Sequence, residues 1–439
     1  MKRVVPLIAI ALITMPVQMI HAQFIVDGQI IQRSELRHGA GKLLGENEDP
    51  AAFIAQRLRL QARYSIEGFA FYGSIQDVRT WGNTPQVKPS DPYLSIHEAW
   101  AETKLGDFWM IKLGRQELNY DNARFLGNLD WALQGRAHDF ALVKYEKEKA
   151  KLHFGGGFNQ DDQALSGNTF TTSNQYKNAQ MIRSEKIWDK THLSLLVWNE
   201  GRQFIERDSI GNITSKKVFY GQTIGLPTVR YTIGRTIISG FYYHQLGKDQ
   251  AGRSTNAFDV SVQVTHTLKE NADKGRSIAL TSGFEILSGT DSDQTNKSNS
   301  FNPLYGTNHA HNGYMDLFFV GGRFVNSVGL KDFFLKTKYR ISARTFAQLD
   351  AHVFHSQADI KEATTGNALD AYLGSEIDLT LGYNLNNAVS FQSGFSQIFA
   401  SGTLENLQKK LAYKDSQYWA YIMFVYRPTM KNKFIGILF

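Results

Sequence analysis

The stretch LDAYLGSEIDLTLGYN, residues 369–384, decides the fold. Leu369, Ala371, Leu373, Ile377, Leu379, Leu381 and Tyr383 share one phase of a two-residue period, with Ser375 as the exception. Asp370, Gly374, Glu376, Asp378, Thr380 and Asn384 take the other phase, together with Tyr372. Successive side chains of a β-strand point to opposite faces, so this segment has one apolar face and one charged face. A helix would scatter the carboxylates around its axis. A long strand with these two faces suits the wall of a transmembrane barrel, with lipid outside and water inside.

The alternation recurs along the chain. Leu58, Leu60, Ala62 and Tyr64 alternate with Arg57, Arg59, Gln61 and Arg63. Phe258, Val260, Val262 and Val264 alternate with Asp259, Ser261, Gln263 and Thr265. Phe333, Leu335 and Tyr339 alternate with Asp332, Lys336, Lys338 and Arg340, and the next segment sets Leu349 and Val353 against Asp350 and His352. Such segments predict eighteen strand cores between residues 53 and 427, among them 217–227, 230–247 with a break, 314–323 and 417–427. An even count fits an all-β, antiparallel, single-chain outer-membrane barrel. Closure removes exposed sheet edges and makes 51–428 one domain. Residues 23–50 read as an N-terminal arm, and 429–439 as an extension on the periplasmic side. Long loops are expected at 80–92, 120–136, 160–176, 200–216, 289–313 and 356–368 on one rim. Tight turns such as Gly106-Asp107 and Asn386-Asn387 suit the other rim. Tyr418, Trp419, Tyr421 and Tyr426 read as interfacial aromatics. The competing fold is an exported soluble sandwich or β-helix. Strands longer than the usual five or six residues weigh against it.

Residues 1–22, MKRVVPLIAIALITMPVQMIHA, carry Lys2 and Arg3, then an apolar stretch, then Ala22. This is the pattern of a cleaved signal peptide. No later run of about 20 apolar residues predicts a membrane helix. The 439 residues include no cysteine, so an exported chain of this kind is held by its core, a metal, assembly or a membrane. The net charge of +7 allows a basic wall facing anions. Export makes nucleic acid a poor partner, and a monomer in outer-membrane lipid is favoured.

Two sets of cations share the inward phase: Arg57, Arg59 and Arg63, then Lys336, Lys338 and Arg340. Around one lumen they would form a positive path, and an arginine fork suits a passing carboxylate. Glu98, Glu102, Glu117, Asp139, Glu376 and Asp378 are candidates to brace these cations. The alternative is that lumen charges pair with one another in a closed barrel. Residues 114–139, GRQELNYDNARFLGNLDWALQGRAHD, pose a phase problem. Trp109, Ile111 and Leu113 look lipid-facing, yet Arg115 and Glu117 share their phase. Either the strand leaves the hydrocarbon by residue 115 or a bulge resets it.

The block at 113–139 resembles the alginate-export family of outer-membrane barrels. So do DVRTWG at 77–82, IHEAWAE at 96–102, FNPLYGTNHAHNGYMDLF at 301–318, residues 373–400 and YWAYIMFVYRP at 418–428. The resemblance implies an outer-membrane channel. In the best understood members an eighteen-stranded barrel with a basic lumen exports the anionic polysaccharide alginate. It also implies that Arg115, Arg124 and Arg136 belong to an arginine-bearing strand and loop block, and Asp77 and Arg79 to a second block. Periplasmic export components are then the expected partners.

No motif demands catalysis, a cofactor or a metal. His97-Glu98 does not continue into HExxH. His309 and His311 suit a loop, Asp291 and Asp293 an acidic turn rather than a calcium site, and Gly155-Gly156-Gly157 a crowded strand. The favoured function is a channel for anionic or polyhydroxylated solutes, including an alginate-like exopolysaccharide. The alternatives are a closed structural or surface-binding barrel, and a barrel enzyme acting on envelope lipid or glycan.

Overall fold

The computed structural model describes residues 22–88, 90–408, 412–430 and 433–437. The signal-peptide reading therefore lies outside the described residues, except at Ala22. Among the described residues, eighteen antiparallel strands close into a ring. In chain order they begin with β1 (Gln23–His38), β2 (Ala51–Ile66), β3 (Phe69–Thr80), β4 (Leu94–Lys104), β5 (Trp109–Gln116) and β6 (His138–Lys147). Then come β7 (Ala150–Phe158), β8 (Asn178–Trp188), β9 (Thr191–Arg207), β10 (Ile213–Ile233), β11 (Thr236–Lys248), β12 (Ser254–Asn271) and β13 (Arg276–Leu287). A two-residue strand, β14 (Lys297–Ser298), lies parallel to the start of β12 within an inserted loop. The wall is completed by β15 (Leu330–Arg340), β16 (Thr345–His355), β17 (Tyr372–Asn384), β18 (Val389–Ala400) and β19 (Gln417–Tyr426). Closure pairs β1 with β19, from Ile30 against Tyr426 to His38 against Tyr418.

The sequence reading differs from this wall in two strands, and the differences offset each other in the count. Residues 23–38, expected as an arm, are β1. Their alternation is masked because Ile31 faces inward while Gln32 and Ser34 take the outward phase. Residues 314–323, expected as a strand, are an irregular segment, largely buried through Phe319 and exposed from Gly321. Asp316 and Phe319 have φ of 56° and 60°, which a strand does not accommodate. Residues 200–216 are not a long loop: β9 and β10 run through them and turn only at 208–212. The break in 230–247 is the turn between β10 and β11, and a separate bulge lies between Leu226 and Val229.

Short connections join β2–β3, β4–β5, β6–β7, β8–β9, β10–β11, β12–β13, β15–β16 and β17–β18 on one rim. The start of β1 and the end of β19 lie on that rim too. The other rim carries the long connections, including 39–50, 117–137, 159–177, 288–329, 356–371 and 401–416, the last with the short helix α1 (Gly402–Leu407).

The two faces separate as the pleat requires. Leu379 and Leu381 are exposed on the outside, at 40% and 45%, whereas Glu376 and Asp378 are 1% exposed within. Leu373 departs from the expected lipid face. A bulge opposite Phe354 and His355 turns it inward, next to Gly374 at φ 144°. Trp419 and Tyr421 are not interfacial either. With Met423 and Val425 they form the inner face of β19, against an apolar core that fills much of the lumen.

Candidate functional site

That lumen core is built by connections 117–137 and 288–329, which fold inward from the long-loop rim. Their Phe125, Trp131, Tyr305 and Phe318 are buried against inward residues of the wall. They are stitched together by Gly127 N–H donating to the Tyr305 carbonyl (2.9 Å) and by Arg136 Nη1 donating to the Gly306 carbonyl (3.0 Å). Trp131 and His309 stack with ring centroids 3.8 Å apart. The two loops therefore form one plug.

Buried charge on the wall is largely segregated, with Glu35 of β1 an acidic exception beside Arg33. The inward phase of β1 and β2 carries Arg33, Arg57 and Arg59, joined by Arg427 just beyond β19, all buried. A separate arc, β12 to β17, carries Asp259, Glu285, Asp332, Asp350, Glu376 and Asp378, also buried. Connection 117–137 reaches both arcs with opposite charges. Arg124 Nε lies 2.8 Å from Glu285 Oε1 and 3.1 Å from Asp259 Oδ2, and its Nη2 donates to Asn312 Oδ1 at 2.8 Å. Six residues on, Asp130 accepts from Arg57 Nη2 at 2.7 Å and pairs with Arg427. Arg57 also donates to the Leu133 carbonyl (3.1 Å), and Arg33 to the Trp131 carbonyl (2.9 Å). Burial opposes ionisation of Asp130, but the two guanidiniums outweigh it and hold the carboxyl below its ordinary value.

The structure places the remaining sequence candidates as follows. Arg59 is buried and donates to Gln76 Oε1 at 2.7 and 3.0 Å, with Glu117 at 3.9 Å. Arg63 is exposed in the tight-turn half and donates to Ser65. Lys336 lies 3.5 Å from Asp350, Lys338 sits over the Phe346 ring, and Arg340 is exposed at the end of the same face. These five and Arg57 share the inward phase.

Arg115 does not. It lies opposite Asp139, on the outward phase of β5 and β6, and the two half-exposed side chains pair at 3.1 Å. The strand has reached the rim by residue 115, so the outer face there no longer meets hydrocarbon. Arg79 and Asp77 likewise share the outward phase of Phe71 and Ile75 and pair with each other, with Asp91 beside them. Arg115, Asp139, Arg79 and Asp77 are thus rim pairs, and Arg124 and Arg136 are plug residues.

His97 and Glu98 both point inward because a bulge separates outward-facing Ile96 from Ala99. They meet Glu117, so three groups that could ligate a metal lie within 4.8 Å of one another. Their atoms already serve other bonds. His97 Nε2 is 2.9 Å from Glu117 Oε1, and Glu98 Oε1 accepts from the Glu117 backbone and from Trp100 Nε1. Arg59 stands beside them, which disfavours a cation. Glu102 pairs with Lys144 at 2.7 Å. Glu376 accepts from Met315 N–H in the plug, and Asp378 faces His352 at 3.9 Å, so neither braces an arginine. His309 and His311 are buried in the plug, where burial pushes the His311 imidazole well below its ordinary value. Asp293 pairs with Lys361.

Two cavities open toward the long-loop rim, of about 680 and 700 Å³. Trp131, Ala132 and Val320 line both and form the ridge between them. The charged residues of the first are Arg33, Arg37, Arg79 and Arg323 against Glu35 and Asp316. Those of the second are Arg136, Arg202, Lys248 and Arg253 against Glu200 and Asp249. Sequence reasoning did not find Arg33, Arg37, Arg202, Arg253 or Arg323. Arg33 lies in the masked strand, and Arg323 follows a segment that reads as wall.

The alginate-export family model matches residues 28–161, which is β1 to β7 with their connections. No curated protein matches the chain. Solved structures share the whole shape at low identity. The outer-membrane protein OpdK from Pseudomonas aeruginosa is 10% identical with a TM-score of 0.56, covering 92% of this chain and 98% of that one. OpdQ from Pseudomonas aeruginosa is 11% identical with a TM-score of 0.54, covering 92% and 97%. These likenesses carry the fold, and the family match covers less than a third of the chain. The chain is an outer-membrane β-barrel whose residues 28–161 are similar to the alginate-export family.

Proposed function

We propose that this barrel is a channel for anionic or polyhydroxylated solutes, with an alginate-like exopolysaccharide as the polymeric candidate. The observation that carries the reading is the charge of the two rim cavities, each lined by four basic and two acidic side chains. An excess of fixed positive charge in a concave mouth concentrates anions. Attraction spread over several arginines lets a solute leave as well as enter. The family match supports export of an anionic polysaccharide as the polymer case. The test is the reversal potential of the purified protein in planar bilayers across a salt gradient. Anion preference is expected, weakened by high salt, and reduced by replacing Arg37, Arg253 and Arg323 with glutamine. Cation preference in the parent protein overturns the reading.

A second reading, a closed structural or surface-binding barrel, is favoured by one observation: the plug and its aromatic core occupy much of the lumen. Absence of conductance from correctly folded protein would select it.

A further inference from the structure

We propose that the C-terminal segment 433–437 is a removable stopper of the lumen, seated in a peptide-binding groove on the inner wall and released toward the tight-turn rim. The proposal rests on the channel reading. β19 ends on the tight-turn rim, yet the chain beyond it turns back into the barrel instead of leaving it.

The groove is made by the inward phase of β18. Gln392 grips one residue of the segment through its backbone in both directions: Nε2 donates to the Ile435 carbonyl at 2.9 Å, and Ile435 N–H donates to Gln392 Oε1 at 3.1 Å. Two residues along the same face, Ser390 Oγ donates to the Lys433 carbonyl at 2.7 Å. Phe434 sets its edge on Phe346 of β16, with centroids 4.9 Å apart, and Ile435 is 3% exposed. Gly436, at φ 76°, lies so close to Trp131 and His309 that a side chain there would collide with both rings. The segment therefore enters from one end of the barrel and meets the plug, which enters from the other. Where they meet, Trp131 is also the ridge between the two rim cavities.

This contact is built for release. Its polar anchors on the groove are neutral hydrogen bonds to backbone, which contribute modestly each. Its one charged anchor, the Lys433 ammonium, binds carbonyls of the adjoining residues 427–430 rather than the groove, whereas the plug above is held by buried ion pairs. Recognition of backbone by an amide side chain also tolerates replacement of the segment by another extended apolar peptide.

The absence of cysteine from the chain makes the test clean. A single Ile435→Cys substitution, in the full-length protein, reports docking through its reaction with a water-soluble maleimide. Gln392→Ala should speed this labelling roughly tenfold, the equivalent of losing about 1.4 kcal/mol. In planar bilayers, a variant ending at residue 430 should show a larger unitary conductance than the parent. Should that variant fail to fold, Gln392→Ala in the full chain carries the conductance test, as more frequent open events. Equal conductance of parent and folded truncation, or labelling indifferent to Gln392→Ala, overturns the stopper and leaves the channel reading standing. Silence from parent and truncation alike overturns the channel reading and the stopper with it.

Discussion

Arg124 is where the plug should fail first. Its guanidinium is fully buried and faces Glu285 and Asp259, with Asn312 as a third, neutral partner. Arg124→Met keeps most of the volume and removes the charge, leaving two buried carboxylates without their cation. Breaking a buried pair from one side costs about 3–5 kcal/mol, mostly as the penalty on the charge left behind. The wall strands retain their ladders, so this cost falls on docking of the plug rather than on the barrel. At about 1.4 kcal/mol per decade, the ratio of docked to undocked plug drops by roughly a hundredfold to a few thousandfold. Amide hydrogen exchange of residues 117–137 and 298–327 should accelerate by that factor while β12 and β13 stay protected. Channel recordings should become noisier or larger. The triple variant Arg124→Met, Asp259→Asn, Glu285→Gln should recover much of the loss, because it removes the orphaned charges together with the arginine. Unchanged exchange in the single variant, or a triple variant as loose as the single, would refute the strut.

Two further outcomes follow from the wall and the plug. Leu379→Arg places a charge on the lipid face and should lower barrel stability by about 2–4 kcal/mol if it lies near the midplane, measured by denaturant titration in lipid vesicles; a neutral outcome would contradict the outward assignment. Asp130, whose carboxyl is held below its ordinary value of 3.8 by Arg57 and Arg427 against the cost of burial, is ionised in docked and released plug alike at neutral pH. Its contribution is therefore full above about pH 5 and is lost as pH falls through the depressed value. Asp130→Asn should loosen the plug at neutral pH and converge with the parent only in strong acid, by exchange of the same amides; equal plug protection at pH 7 would sink the argument.

The wall was legible wherever the pleat sorted residues cleanly. Arg57 and Arg59 against Leu58 and Leu60, or Glu376 and Asp378 against Leu379 and Leu381, declare both strand and face. It was illegible where the lumen is itself a core. Ile31, Trp419 and Tyr421 are apolar and inward because they meet the plug rather than water, and a period-two reading assigns such residues to lipid. The plug escaped for the complementary reason. Its path depends on left-handed backbone at Asp316, Phe319, Phe324 and Asn326, which residue type alone does not announce. The arginine-rich block at 113–139 reads as one unit along the chain, but its three arginines do different things. Arg115 closes a rim pair, Arg124 spans to the acidic arc, and Arg136 ties two loops through carbonyl groups. Spacing along the chain does not distinguish these roles; the partners are 24, 161 and 170 residues away.

Those separations fix an order of assembly. The loop after β5 carries Arg124 and Asp130, yet the carboxylates that receive Arg124 arrive only with β12 and β13, and Arg427 only after the last strand. Contacts of such long range form late, since the chain between them must be placed first. Until then Arg124 has to remain hydrated, while Asp130 already has Arg57 of β2 as a partner and hairpin after hairpin enters the bilayer on either side of the loop. Ring closure of β1 on β19 and delivery of Arg427 to Asp130 happen at the same end of the chain. The barrel thus shuts its wall and makes the last plug contact as one terminal event, and a nascent barrel halted before β19 would be an open trough whose Asp130 lacks its second guanidinium.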